Sequence, residues 1–321
     1  MKILITGGGG FIGQKIAKKL AAETVLRGQV VSGLVLADIV KPNNVDAPFP
    51  VTCMAADIST ADGVAAMFAD APDVIFHLAA VVSAAAEADF DLGMRVNLGG
   101  TMNILEAARQ QGNTPMVIYA SSCAVHGGDA PDPVLDNIEL NPQGSYGIQK
   151  AMGEKLLQDY SRKGFVDGRG LRLPTVTVRP GVANAAASSF MSSIFRDTLQ
   201  GDLANCPVSR DFPVWHTAPR TVVANLLHAA EIPAEAFGFN RNLNLPGRTD
   251  TIGAMIDAMT SVAGSDAEAR ITWESDPVIE AIVNGWRGRF VPTKGLELGF
   301  KADASFADSI RWFLEDDIVV K

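Results

Sequence analysis

The chain has 321 residues, 47% of them apolar, which suits one large α/β unit or a main domain with a smaller lobe. Its net charge is −9, from 27 basic and 36 acidic side chains, and no basic cluster rises above that background, which argues against nucleic acid and anionic membrane as partners. Three scattered cysteines and four dispersed histidines make neither a disulfide framework nor a metal site, and no apolar run reaches the length of a membrane span, so a cytoplasmic protein without a metal is expected.

Met1-Lys2 leads without a signal peptide into Ile3-Leu4-Ile5, a β-rich run that stops at Thr6-Gly7-Gly8-Gly9-Gly10-Phe11-Ile12-Gly13. A helical pattern follows, with Phe11, Ile12, Ile16 and Leu20 on one side and Lys15, Lys18 and Lys19 on the other. Strand, glycine turn and helix together point to a dinucleotide site. Gly7 and Gly10 admit a pyrophosphate close to the backbone, and Gly13 lets the helix pack against the strand. The helix N-terminus, opened by Phe11 and Ile12, offers free N–H groups and a positive dipole end.

A second strand over residues 33–37 ends on Asp38, where a carboxylate can take both ribose hydroxyls and repel a 2′-phosphate. That favours NAD over NADP, although Lys41 is near and a turn aspartate is the plain alternative. A third strand, residues 51–56, ends at Asp57-Ile58, placed either to meet an adenine amino group or to cap the helix near Thr60. A fourth, residues 73–78, runs into Leu78-Ala79-Ala80, small enough to pass under a cofactor, while His77 reads as a packing residue. Residues 88–112 form a long helical pattern with Asn97 inside it, either solvated or bonded to backbone or water near Lys150.

The fifth strand, residues 116–120, delivers Ser121 and Ser122 to the carboxyl edge of the sheet, where open α/β sheets bind ligands. After a Pro/Asp-rich loop comes a helix from Tyr146 to about Arg162. Tyr146 and Lys150 lie one turn apart on one face, so the ammonium can lower the pKa of the phenol from about 10 and make it a general base. A sixth strand is expected at residues 176–179, ending in Arg179-Pro180-Gly181. Beyond it the pattern becomes shorter and irregular: a small-residue stretch over 184–193, a segment over 212–223, a strand at 243–245, a helix near 251–263, a strand at 271–273 and a last helix near 305–314. The expected fold is a Rossmann-type doubly wound parallel sheet over residues 1–182. Residues 183–321 would mainly form a smaller substrate-binding lobe closing over the cofactor edge, with a return of the chain to the main sheet left open.

In this order the motifs resemble those of extended short-chain dehydrogenases/reductases, the NAD-dependent epimerase/dehydratase family. The resemblance spans residues 1–185 by motif, and residues 293–300 are similar to a near-terminal element of that family. It implies NAD as cofactor, held by Gly7, Gly10, Phe11, Ile12, Gly13, Asp38, Asp57, Ile58, Leu78, Ala79, Ala80, Asn97, Tyr146, Lys150 and Pro180. It implies Tyr146 as base, Lys150 as its activator, and Ser122, three residues before Val125, as the hydroxyl on the reacting oxygen. His126 departs from the tyrosine common in relatives. Cys123-Ala124 departs from the acidic pair of family dehydratases, which disfavours dehydration.

Two activities compete: oxidation of a small sugar acid, and nucleotide-sugar 4-epimerisation with tightly held NAD. A third reading, a dinucleotide sensor without catalysis, predicts loss of the Tyr or the Lys, and both are present. For a sugar acid, a planar guanidinium suits the substrate carboxylate. Arg220, after Pro219 at an expected helix start, is chosen over Arg210, with pairing to a surface acid as the competing reading. Ser83, Ser122, Tyr146, Asn184, Ser192 and Trp215 complete the candidate substrate set. Family helices pair into a two-fold interface, so a homodimer is expected through residues 97–108 and 151–160.

Overall fold

The structure, a computed structural model, describes residues 1–181 and 187–318. The chain forms two compact units that interleave along the sequence. The first comprises Met1–Val125, Gly144–Arg172 and Val223–Asn244; the second comprises His126–Gln143, Leu173–Val222 and the chain from Leu245 onward. The single division expected after residue 182 therefore meets a chain that crosses between units several times. Asn184 lies outside the described residues.

The first unit is built on strands β1 (Lys2–Thr6), β2 (Gly33–Asp38), β3 (Val51–Ala55), β4 (Val74–His77), β5 (Met116–Ser122), β6 (Asp167–Leu173) and β7 (Asn242–Asn244). They form a seven-stranded parallel sheet in the order β7-β6-β5-β4-β1-β2-β3. The order reverses beside β1, the switch point where doubly wound sheets bind ligands. β1, β2 and β4 read as unbroken apolar runs because helices cover both faces, so Leu4, Val35, Ile75 and Val117 share one core with Ile104, Leu105 and Leu157. Each such side chain, fully buried, contributes about 1.5–3 kcal/mol.

The helices of this unit are α1 (Phe11–Glu23), α2 (Ala61–Met67), α3 (Ser83–Ala88), α4 (Thr101–Gln111) and α5 (Ser145–Arg162). Thr60 caps α2, its Oγ1 accepting the Gly63 amide at 3.2 Å, so the capping option considered for Asp57 falls to the threonine. The long helix expected over residues 88–112 is continuous in direction but not in type. Phe90–Gly93 is α-helical, Met94–Gly100 is a π-helical turn, and α4 resumes the regular pitch.

The sixth strand of the sheet is β6, not residues 176–179. Its sequence, Asp-Gly-Arg-Gly-Leu-Arg-Leu, lacks an apolar signature because both its arginines are buried and paired. Arg169 forks on Asp167 and Arg172 on Glu154. Gly170 leaves room for β7, since a Cβ there would fall 1.9 Å from Asn242 Oδ1. Thr175–Val176 belongs instead to a three-stranded sheet of the second unit, beside Pro213–Thr217 and Arg248–Thr251. The return of the chain to the main sheet takes place at β7.

The second unit packs α6 (Phe190–Leu199), α8 (Ile252–Ala263) and α9 (Phe306–Asp316) around Phe195, Met255, Ile256, Phe306 and Phe313. Between α6 and α8 in sequence, α7 covers Pro219–Glu231. Asp303 supplies its first turn: one carboxylate oxygen accepts the Ala218 amide at 2.9 Å and the other the Thr221 hydroxyl.

Candidate active site

The glycine turn between β1 and α1 is bare backbone folded on itself. Gly7 has φ +73°, and a Cβ there would meet the Ala79 amide nitrogen at 2.8 Å. Gly13 is under a second constraint, because its Cβ would fall 2.5 Å from Gly7 O and 2.9 Å from Gly8 Cα. The turn is closed by Gly10 N–H to Gly7 O at 3.1 Å, and the Gln14 side-chain amide donates to Gly8 O at 2.7 Å. No side chain caps the N-terminus of α1, so its first-turn N–H groups are left for an incoming anion. Bare glycines followed by an uncapped 13-residue helix fit a dinucleotide pyrophosphate. Gln14 was not singled out from sequence, where it reads as one more polar helix residue.

Asp38 stands at the end of β2, half-buried. Its Oδ2 accepts the Gly9 amide at 3.0 Å and its Oδ1 the Ile39 amide at 2.7 Å, so the carboxylate is fixed beside the turn. Asp57 accepts the Ser59 amide at 2.8 Å, and Ile58 is buried in the core against Gly100. Phe11, Ile12, Leu78, Ala79 and Ala80 are half-buried.

His77 is fully buried, stacked on Tyr119 at 5.6 Å. Thr101 Oγ1 donates to Asn97 O at 2.6 Å and so accepts from His77 Nε2 at 3.0 Å, which leaves Nδ1 to accept the Thr6 hydroxyl at 2.7 Å. Burial, assisted by the charge of Lys150, pushes the imidazole down to about 3, so it is neutral. Asn97, in the π-turn, is buried rather than solvated. It exchanges two bonds with Val81, accepting its N–H at 2.8 Å and donating to its C=O at 3.0 Å, and donates to Gln149 Oε1 at 2.8 Å.

Helix α5 brings the catalytic candidates to the end of β5. Lys150 is 2% exposed, and its Nζ donates to Ala120 O at 2.8 Å. The same nitrogen lies 4.7 Å from the Tyr119 ring centre and 5.8 Å from that of Tyr146. Burial drives the Lys150 pKa down to about 7, opposed by the charge of Glu154. The two serines separate cleanly. Ser121 is buried and donates to Glu154 Oε1 at 2.6 Å, whereas Ser122 is half-buried and its oxygen accepts the Ala124 amide at 3.1 Å. A serine hydroxyl that accepts one bond can still donate to a ligand. Glu154 and Arg172 are further residues of this cluster that sequence reasoning passed over. The signal was the spacing Tyr146, Lys150, Glu154, which repeats one face every turn.

Ser83 is the first residue of α3. In the second unit, Pro180 is half-buried, and Ser192 is buried with its oxygen accepting the Arg179 amide at 3.1 Å. Trp215 is stacked on Phe290 at 5.1 Å, and His216 pairs with Asp250 at 2.9 Å. Arg220 is held by Asp316 at 2.9 Å and Glu315 at 2.9 Å, beside Trp312, the surface pairing that competed with substrate binding. Arg210 is likewise held by Asp257 at 2.6 Å and Glu268 at 2.9 Å. Among the described residues no group of three or more His, Cys, Asp or Glu is placed to hold a metal ion, and no helix is long and apolar enough to cross a membrane.

The chain is 48% identical over 320 residues to D-erythronate dehydrogenase of Cupriavidus necator, covering 98% of both chains. It is 43% identical to D-erythronate dehydrogenase of Haemophilus influenzae, covering 99% of this chain and all of the relative. A crystal structure described as a nucleoside-diphosphate-sugar epimerase from Agrobacterium tumefaciens superposes with a TM-score of 0.94 at 42% identity, over 98% of this chain and 94% of that one. The profile of the NAD dependent epimerase/dehydratase family matches residues 3–223, and with relatives this similar along its whole length the chain belongs to that family.

Proposed function

We propose that the protein is an NAD-dependent dehydrogenase that oxidises D-erythronate to its 2-oxo acid, working as a cytoplasmic homodimer. The observation that carries the reading is the buried Lys150, one helical turn from Tyr146 and bonded to the strand end that presents Ser122. The choice of substrate is supported by the two full-length D-erythronate dehydrogenase relatives.

The residues divide the work as follows. The glycine turn and the first turn of α1 hold the pyrophosphate, and Asp38 holds the adenosine ribose and repels a 2′-phosphate. NAD, when bound, supplies the hydride acceptor at C4 of its nicotinamide. Tyr146, as phenolate, takes the proton of the substrate hydroxyl. The Lys150 ammonium favours that phenolate. Ser122 donates its hydroxyl hydrogen to the reacting oxygen and stabilises charge there. Exposed Phe90, Met102 and Ile148, on the helical run before α4, on α4 and on α5, supply apolar surface for a second copy.

The test is kinetic. Wild-type enzyme with excess NAD and D-erythronate should accumulate NADH, and Tyr146→Phe should lose about 10²–10⁴-fold in turnover with NAD affinity nearly intact. A variant that keeps a tenth of the activity removes Tyr146 from the role of base. The epimerase reading, favoured by the description of the Agrobacterium structure, predicts NAD that copurifies and no net NADH. Light scattering that returns a monomer mass at micromolar concentration would exclude the dimer.

A further inference from the structure

Below the Tyr146–Lys150 pair, α5 carries a second charged group into the sheet. Glu154 is 1% exposed and lies one turn beyond Lys150 on the same face. Three donors converge on its carboxylate. Arg172 of β6 contributes Nε at 2.9 Å to Oε1 and Nη2 at 2.8 Å to Oε2, and Ser121 contributes its hydroxyl at 2.6 Å to Oε1. The backbone of Glu154 is held as well, since Asn242 of β7 donates to its carbonyl at 3.3 Å.

Lys150 and Glu154 thereby grip consecutive residues of β5. The lysine binds the carbonyl of Ala120 and the glutamate the side chain of Ser121, and the next residue is Ser122. A buried ammonium also needs an opposite charge to stay protonated. The titratable groups around Lys150 are few. Tyr119 on β5 and His77 on β4 are both buried in their neutral forms. Glu87 of α3 accepts the Ser145 amide at the start of α5. Tyr146 is the intended base. Glu154 is the negative charge that acts on Lys150.

We propose that Glu154 is a positioning residue for the reaction: its carboxylate is the counter-charge of the buried Lys150 ammonium and, together with Lys150, fixes the strand end that presents Ser122. Arg172 holds that carboxylate in place with two hydrogen bonds. The proposal rests on Tyr146 acting as the base, because a neutral Lys150 would leave the phenol near its ordinary pKa of about 10. A simple tie between helix and sheet would need the Glu154–Arg172 pair but no influence on Lys150.

The experiment is Glu154→Gln in the full-length enzyme, which removes the charge and keeps the shape. Two readouts are taken. The first is the protonation midpoint of Lys150, followed by NMR in protein labelled with [13Cε]lysine and identified by its absence in Lys150→Met. The second is the pH profile of kcat with D-erythronate. The midpoint should fall by about one pH unit or more. With Lys150 neutral at pH 7, the phenolate loses its support, so kcat there should drop roughly tenfold and the acid limb should move to higher pH. KM for both substrates should stay within about threefold. Glu154→Asp should recover most of the activity. An unchanged Lys150 midpoint, with activity lost equally at every pH, overturns the proposal and leaves Glu154 as a structural tie. Should Arg172, left buried without a partner, unfold the single variant, Glu154→Gln/Arg172→Gln removes both charges and the same two readouts decide. A fully active Tyr146→Phe enzyme overturns the base assignment and the proposal with it, whereas an unmoved Lys150 midpoint overturns the proposal alone.

Discussion

Gly13→Ala tests the dinucleotide site with a single methyl group. The added Cβ would stand 2.5 Å from Gly7 O, 2.9 Å from Gly8 Cα and 3.2 Å from Gly7 C, all backbone atoms of the turn. The closest of these contacts is about 0.9 Å short of an ordinary 3.4 Å approach, so the Gly7–Gly8 peptide has to move off the helix start. That peptide is held by Gly10 N–H on Gly7 O at 3.1 Å and by its own N–H on Ala37 O at 3.0 Å, and the next peptide by the Gln14 side-chain amide on Gly8 O at 2.7 Å. Overpacking of this kind costs about 1–3 kcal/mol, and each weakened hydrogen bond adds about 0.5–1.5. The better helix propensity of alanine returns at most about 1 kcal/mol, less in a first turn. A net loss of about 1.5–3 kcal/mol, borne mainly by the turn, corresponds to roughly a 10- to 150-fold weaker NAD Kd. Calorimetric titration with NAD measures it, and thermal unfolding should shift by only a few degrees. Gly33→Ala is the control, since its Cβ would meet nothing within 4 Å and its φ is not positive. NAD bound by Gly13→Ala within twofold of wild type would refute the account of this turn.

Three further outcomes are expected. His77, held at about 3 against an ordinary 6.5, makes the native state resist a proton that the unfolded chain accepts. Its contribution is therefore complete above about pH 6.5 and lost as pH falls toward 3, amounting to about 2 kcal/mol by pH 5; urea unfolding at pH 7.5 and 5 should show that loss in wild type and not in His77→Gln, and equal losses in both would contradict it. Asp38→Ala should narrow the ratio of kcat/KM between NAD and NADP by roughly tenfold and weaken NAD binding too, because the Gly9 amide loses its acceptor; a wild-type enzyme that uses both cofactors equally would remove this role. Arg220→Lys should leave KM for the sugar acid within about threefold and cost under about 1 kcal/mol of stability, because the guanidinium is tied to exposed acids; a tenfold rise in KM with unchanged NAD affinity would assign Arg220 to the substrate.

Local rules made the nucleotide-binding half legible. Apolar runs, the glycine turn and the Tyr146 helix depend on near neighbours in sequence, and the structure places them within a residue or two of expectation. What escaped depends on partners far along the chain. β6 hides its strand character because Arg169 and Arg172 look like surface residues until Asp167 and Glu154 are seen beside them. Asn97 looked out of place in a helix because its partners at Val81 and Gln149, and the π-turn that aims it at them, are tertiary features. Arg220 looked available because the acids that hold it, Glu315 and Asp316, lie more than ninety residues later. The division into units was equally hidden, since no composition shift marks the returns at residues 144 and 223.

The late arrival of β7 gives the protein a schedule. Its neighbour β6 ends at residue 173, and the strand that pairs with it begins at residue 242, so 68 residues separate them. A ribosome adding about 5–20 residues per second takes roughly 3–14 s over that interval. Throughout it, the growing sheet presents an open β6 edge, with backbone donors and acceptors ready to pair with any other strand. A chain cut anywhere between the two strands would keep that edge for good. The glycine turn and the Tyr146 helix are thus made early, but the sheet that carries them is complete only when three-quarters of the protein has been synthesised.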